Sequence, residues 1–292
     1  MIRTFIESHF GFVLLAAAAV GLVAPLGNVP DDSASVALAM LTYASCFKLR
    51  DGGFSTIRWN EVARFYVLRY LLLPVGLFAV AHALVPDYAL GVFLLALVPA
   101  AVSSPAFAQL FGGSVPPAFA IVMVSTCLAP FLIPLQFMWA SEVSLHISPL
   151  GLFRTLTFCI LLPMAVYFAT RHLTRWGNLM YDSVKLISIV LVAFVIALVI
   201  AKQREVILSD LSALIVPFIA CLLCYAAFIL SARWIGRRQP KETQITYAVC
   251  SAFNNVALGV SLALVHFPPK IILLIAVSEV AWALLPLLMK KW

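Results

Sequence analysis

Ten apolar runs, separated only by short polar breaks, leave this chain almost no choice of solvent. They fall at 10–27, 34–49, 62–85, 89–110, 116–139, 150–170, 183–202, 211–235, 243–266 and 269–289. About 20 apolar residues in a helix rising 1.5 Å per residue cross about 30 Å of hydrocarbon. Only 11% of the residues are charged and 64% are hydrophobic, whereas a soluble domain carries about 25% charged residues. The expectation is an all-α polytopic membrane protein of ten transmembrane helices, with no room for a soluble domain. The first run holds Ala16 to Ala19 and has some look of a signal peptide. Nine further runs follow it, so it reads as a retained helix.

The cations set an orientation. Arg3, Lys48, Arg50, Arg58, Arg171, Arg175, Arg233, Arg237, Arg238, Lys241, Lys290 and Lys291 fall on one side, and Lys202, Arg204 and Lys270 on the other. Positive loops stay inside, which places both termini in the cytoplasm and the chain in the cell (inner) membrane. The net charge of +7 belongs to this asymmetry and is no sign of a nucleic-acid partner.

One phrase occurs twice. Ala101-Val102-Ser103-Ser104 is followed by Pro116-Pro117 and Val124-Ser125, and Ala248-Val249-Cys250-Ser251 by Pro268-Pro269 and Val277-Ser278. Pro99 and Pro105 interrupt the first copy, and the polar pair Asn254-Asn255 interrupts the second. Duplication with interrupted helices points to the substrate site of a secondary transporter. Ten spans divide into two sets of five, residues 1–139 and 140–292. An odd repeat with both ends inside must be inverted relative to its copy, which makes the fourth and ninth spans the two broken, crossing helices.

Enzyme chemistry has no foothold. Cys46, Cys127, Cys159, Cys221, Cys224 and Cys250 all lie inside spans, and the Cys221/Cys224 spacing places two helical neighbours one turn apart. His9, His82, His146, His172 and His266 are dispersed near span ends. There is no H-E-x-x-H, G-x-S-x-G or phosphate-binding glycine loop, so neither a hydrolase, an ATP-driven pump nor a metal site is expected.

The run Leu97-Val98-Pro99-Ala100-Ala101-Val102-Ser103-Ser104, then Gly112-Gly113 and Val124-Ser125-Thr126-Cys127-Leu128-Ala129-Pro130, resembles the fourth and fifth helices of the bile acid:sodium symporter family. Those typically read Pro-Gly-Gly-x-x-Ser-Asn, a Gly, then Val-Ser-Thr-Leu-x-x-Pro. Phe253-Asn254-Asn255-Val256-Ala257-Leu258 resembles the ninth helix, and Arg69 to Pro74 the third. The resemblance implies ten helices in a panel and a core domain, with two broken helices crossing at mid-membrane beside the substrate. A broken helix bares backbone donors on one half and carbonyls on the other. Ser103, Ser104, Asn254, Asn255 and Arg69 are the residues expected at the substrate; for the asparagines and serines, gluing helices together is the plainer alternative.

The departures from the family fall on its ion sites. Cys250 stands where the ninth helix has an acid, and Ser104-Pro105 where the fourth has Ser-Asn. Ala118 and Val122 replace two hydroxyl residues of the fifth helix, and Arg69 replaces a Gln of the third. Hard cations want several oxygen ligands including carboxylates, so this ion site reads as degenerate and sodium coupling is not expected.

Arg69 and Glu279 lie inside spans, where ionisable groups are costly and mark function. Arg69 has two readings: its guanidinium sits where sodium would, holding the broken helices or meeting an anion, or it snorkels to the surface with Arg64. Glu279 is a candidate for proton coupling, with Lys185 a conceivable partner, although Asp182 stands nearer that lysine in sequence. The expected function is alternating-access transport of a small organic anion. Its rivals are metalloid efflux, disfavoured by Ala100 and Ala101 where a cysteine is expected, and a membrane protein that binds a ligand without moving it.

Overall fold

The computed structural model describes residues 10–24, 26–47, 57–141, 148–170, 174–209 and 211–289. The helices are α1 (Phe10–Val23), α2 (Asp32–Cys46), α3 (Trp59–Leu84), α4a (Ala89–Leu97), α4b (Ser104–Leu110), α5 (Val115–Ser141), α6 (Pro149–Thr170) and α7 (Thr174–Lys202). After a short helix at Arg204–Ser209 come α8 (Ile215–Gly236), α9a (Lys241–Ala252), α9b (Val256–His266) and α10 (Pro269–Met289). No strand occurs among the described residues; one isolated bridge joins Ala100 to Asn254.

Among the described residues, four helices are long and apolar enough to cross a bilayer: Trp59–Leu84, Val115–Ala140, Pro149–Thr170 and Ser212–Gly236. Their outer faces are as apolar as their inner ones. On α8, Ile215, Ile219, Leu223, Leu230 and Trp234 are exposed while Cys221, Tyr225 and Phe228 are buried. A helix hydrophobic all round and exposed on one flank belongs in lipid. The halves of the fourth and ninth spans are shorter, 9 residues in α4a and 12 in α9a. At 1.5 Å per residue each reaches about 14–18 Å, roughly half the hydrocarbon thickness.

Prolines shape the long helices in two ways. Both α3 and α6 carry a π-helical stretch, Val67–Leu72 and Thr157–Leu161, ending just before Pro74 and Pro163. Proline lacks the N–H owed to the carbonyl four residues back, and the extra residue in the turn relieves the clash. At Pro74 the orphaned carbonyl is that of Tyr70, and the Gln136 side-chain amide from α5 donates to it at 2.9 Å. Pro105, expected to bend a helix, instead opens α4b in its first turn, where a missing N–H costs nothing. The fourth span therefore breaks at 98–103, upstream of that proline.

Two groups of helices pack side by side. Helices α1, α2, α6 and α7 pack on one another; α3, α5, α8 and α10 surround the two broken helices. In the first group α1 and α7 nearly touch at the backbone, since a Cβ on Gly21 would lie 2.5 Å from the Ala197 carbonyl oxygen. The groups meet where α5 packs on α6 and along α9b, whose residues Val256 to Leu264 are all buried. Ser261 bonds Ser35 of α2 at 2.8 Å, and His266 bonds Thr155 of α6 at 2.7 Å. By contrast α4b has a bare flank: Ser103, Ala106, Gln109 and Leu110 are exposed. Past α4b the chain turns at Gly112, whose φ of 84° suits glycine, and Ser114 is tied to Thr246 of α9a at 2.8 Å.

Two expectations need correction. Helix α7 starts at Thr174 and not near 183; Arg175, Asn178 and Asp182 end the apolar run but are compatible with helix at an interface. The twice-used phrase is not aligned with the breaks. Its first copy spans the break itself, whereas Ala248 to Ser251 lie in the last turn of α9a, ahead of the break at Phe253 to Asn255. The Val-Ser pairs do behave alike, Ser125 donating to Val122 and Ser278 to Ile275, each three residues back. Arg3, Lys48, Arg50, Arg171, Lys290, Lys291, both termini, His9, His146 and His172 lie outside the described residues. The side chains of Arg175, Asp182 and Lys185 are not described either.

Candidate functional site

The two breaks meet. Ala101 N–H donates to the Phe253 carbonyl at 2.7 Å and Asn255 N–H to the Pro99 carbonyl at 2.8 Å, an antiparallel pairing of two short extended segments. Such backbone is tolerated at membrane depth only where protein satisfies it, and here almost every exposed carbonyl has a donor. In the last turn of α4a, Leu94 accepts from Val98 N–H, Leu95 from the Asn254 side-chain amide at 2.9 Å, and Ala96 from Arg69 Nη1 at 2.8 Å. In α9a, Val249 accepts from Phe253 N–H, Cys250 from the Tyr70 hydroxyl at 3.2 Å, Ser251 from Arg69 and Ala252 from Asn254 N–H.

Arg69 is the hub of this arrangement. It is fully buried, 0% exposed. Nε donates to the Ser251 carbonyl at 3.1 Å and the Ser251 hydroxyl at 2.8 Å; Nη2 donates to the Ser251 carbonyl at 2.9 Å and to Asn254 Oδ1 at 3.3 Å. The guanidinium lies 3.9 Å from the centre of the Phe228 ring and 4.7 Å from that of Tyr70. No carboxylate among the described residues pairs with it. Its counter-charge is the negative pole of two helices ending face to face, each worth about half an elementary charge, supplemented by two aromatic faces. The snorkelling reading is therefore excluded: the side chain runs inward to the crossing, not out to the interface.

The other residues singled out from sequence fall in several places. Asn254 is 2% exposed and its amide is committed on both sides, to Leu95 and to Arg69. Asn255, half-buried, caps α9b by accepting from Leu258 N–H at 3.3 Å. Ser104 is buried and donates to the Phe253 carbonyl at 3.2 Å. Ser103 is exposed on the bare flank of α4b. Of the five substrate candidates, only Ser103 and Asn255 offer surface to a guest. The degenerate ion-site residues do gather at the crossing: Cys250 Sγ lies 3.8 Å from the Ala118 carbonyl, and Ser125, bonded to Val122, accepts from Ala100 N–H at 3.3 Å. Pro105 opens α4b beside Ser104. A thiol, a proline and two alkyl side chains do not suit a hard cation, and the place between the helix ends is taken by the guanidinium.

Glu279 sits on α10, half-buried, with no hydrogen bond or ion pair among the described residues. One turn on, Trp282 packs against Phe107 and Phe253 at 6.1 and 5.5 Å, its indole N–H buried without an acceptor. Sequence reasoning passed over Tyr70 and Gln136. A lone glutamine in an apolar span, two residues after Pro134, was the available signal for the latter.

A polytopic helical membrane protein whose two interrupted helices meet in the bilayer has the architecture of a secondary transporter. The chain matches the Sodium Bile acid symporter family over residues 35–210, and it belongs to that family, whose members are membrane transporters. Among curated relatives it is 26% identical over 209 residues to the "Uncharacterized sodium-dependent transporter YocS" of Bacillus subtilis, covering 70% of this chain and 64% of that one. It is 26% identical over 251 residues to the "Probable sodium/metabolite cotransporter BASS1, chloroplastic" of Oryza sativa subsp. japonica, covering 84% and 60%. It is 29% identical over 226 residues to the "Uncharacterized protein PA2026" of Pseudomonas aeruginosa, covering 72% and 63%. The chain thus spans a little under two thirds of the length of these relatives.

Proposed function

We propose that this protein carries a small organic anion across the cell membrane by alternating access, with Arg69 as a built-in cation in place of transported sodium. The ten spans form two inverted repeats, residues 1–139 and 140–292, with both termini cytoplasmic. Helices α1, α2, α6 and α7 act as one body and the helices around the crossing as the other. The observation that carries the reading is the guanidinium between the ends of α4a and α9a, bonded to Ala96, Ser251 and Asn254. A sodium ion there would be drawn by the same carbonyls; a cation bonded to the chain cannot leave with the substrate.

The bare flank of α4b against the clamped α9b favours a state open on the α4b side. Ser103 and Asn255 then meet the substrate, while Arg69 supplies positive potential from behind the crossing without touching it. With no sodium accompanying the anion, transport that carries no proton through Glu279 is electrogenic. A monoanion crossing the membrane feels about 2.3 kcal/mol per 100 mV, and an inside-negative potential drives it outward.

The test is uptake of labelled small carboxylates into proteoliposomes, with sodium replaced by choline and the potential set by potassium and valinomycin. Uptake unaltered by sodium and accelerated by an inside-positive potential is expected. Sodium-dependent uptake overturns the proposal.

A further inference from the structure

We propose that Cys46, Met123, Cys127 and Met164 form a binding site for a soft monovalent metal ion of the Cu(I) or Ag(I) class. The four residues line one small cavity between α2, α5 and α6, beside Val102 in the break of the fourth span. Cys46 is the last residue of α2, Met123 and Cys127 lie one turn apart on the same face of α5, and Met164 comes from α6. The Cys127 thiol points at the Met164 thioether, with 4.0 Å between the sulfurs.

Size and chemistry narrow the occupant. The cavity holds about 30 Å³, room for one or two water-sized bodies, which excludes the organic anion. The hydroxyl residues Thr42, Ser45 and Thr126 also line it, yet none of its open surface is polar, so a hard cation, which wants several oxygen ligands including carboxylates, is poorly served there. Thiolate and thioether sulfurs select soft ions such as Cu(I). With metal–sulfur bonds of about 2.3 Å, two sulfurs on one tetrahedral ion stand about 3.8 Å apart, close to the separation seen. The remaining cysteines are engaged differently: Cys159, Cys221 and Cys250 each point their thiol at a backbone carbonyl, and Cys224 lies inside a helix beside Arg69.

Binding is a ligand exchange without redox change: the ion bonds to sulfur and each thiol that ligates as thiolate releases one proton. Since α2 and α6 belong to one packing group and α5 to the other, a bound ion ties the two together.

The site is tested on the purified full chain in lipid nanodiscs, titrated with Cu(I) against a chromophoric Cu(I) chelator. One Cu(I) per chain is expected at chelator levels that strip single thiols, with only sulfur in the X-ray absorption shell. Replacing Cys159, Cys221, Cys224 and Cys250 with Ala leaves the stoichiometry unchanged, and Cys46→Ser with Cys127→Ser abolishes it. Should that pair of changes unfold the chain, Met123→Leu with Met164→Leu serves, expected to weaken binding at least about tenfold. Binding that survives the Cys46/Cys127 or Met123/Met164 changes, disappears with the other four cysteines, or shows oxygen or nitrogen in the shell overturns the proposal. Since the readout is binding, it stands or falls separately from transport.

Discussion

Replacing Arg69 with Gln removes the cation while keeping a hydrogen-bonding side chain. The guanidinium serves four acceptors: the Ala96 and Ser251 carbonyls, the Ser251 hydroxyl and Asn254 Oδ1. A Gln amide offers two N–H donors, so about two acceptors lose theirs, at about 1–3 kcal/mol for each buried group left unmet. The stacking on Phe228 and Tyr70 adds about 0.5–2 kcal/mol, and relief from burying a charge returns part of the total. The net expectation is destabilisation of about 2–5 kcal/mol, a drop in Tm on the order of 10 °C. The vacated place now faces two helix C-termini and is drawn to cations. Sodium at about 100 times its Kd restores about 2.7 kcal/mol. The assay is thermal unfolding of the wild type, Arg69→Gln and Arg69→Lys in nanodiscs, in NaCl and in choline chloride of equal ionic strength. Sodium raises the Tm of Arg69→Gln and leaves that of the wild type unchanged, while Arg69→Lys, with three donors on one nitrogen, falls between. A wild type stabilised by sodium, or an Arg69→Gln variant as stable as the wild type in choline, would refute the reasoning.

Phe228→Leu keeps the α8 packing but removes the ring under the guanidinium, and is expected to cost about 1–3 kcal/mol, read as a lowered Tm. Asn255→Ala deletes the cap of α9b, a loss of about 1 kcal/mol; if Asn255 also meets the substrate, the KM for transported anion rises while the chain stays folded, and an unchanged KM discards that contact. Glu279→Gln removes the one described carboxylate on α10 (half-buried and without a described partner). If Glu279 carries protons, the variant's transport rate becomes flat between mildly acidic and neutral pH; an unchanged pH profile discards that role. If α4b faces an open cleft, a cysteine placed at Ser103 reacts quickly with a membrane-impermeant maleimide from one side only (the cytoplasmic side under the orientation proposed above), and one at Ser261 slowly from either side.

Much of this architecture was legible in the sequence because lipid simplifies the rules. Apolar run length located the helices, and Pro99 and Asn254-Asn255 marked both breaks. Residues without a pattern to obey were harder. Pro99 and Pro105 are chemically identical, yet one sits in the extended break and the other starts a helix, and only the position of Ala100 against Asn254 decides which. The repeated Ala-Val-x-Ser wording suggested a register that the breaks do not share. Small residues recur wherever helices pack closely, so their words repeat more readily than their places.

Arg69 shows where a sequence argument stops and why. Its cost in lipid announced importance without saying whether the head turned out or in. That choice depends on which is available first, water or unspent carbonyls. Regular helices have none to offer in mid-bilayer. Two interrupted ones ending together present several within reach of a single fork, and five N–H donors in a plane match them better than a compact ammonium does. The π-helical turn at Val67–Leu72 also brings Tyr70 inward, so that neighbouring residues serve adjacent carbonyls, Cys250 by hydroxyl and Ser251 by guanidinium. That turn is in place because Pro74 follows it and Gln136 meets the carbonyl Pro74 leaves bare. Proline, arginine, tyrosine and glutamine therefore act as one unit, and a chain in which a neutral residue replaced Arg69 would need a mobile cation to hold the same two helix ends together.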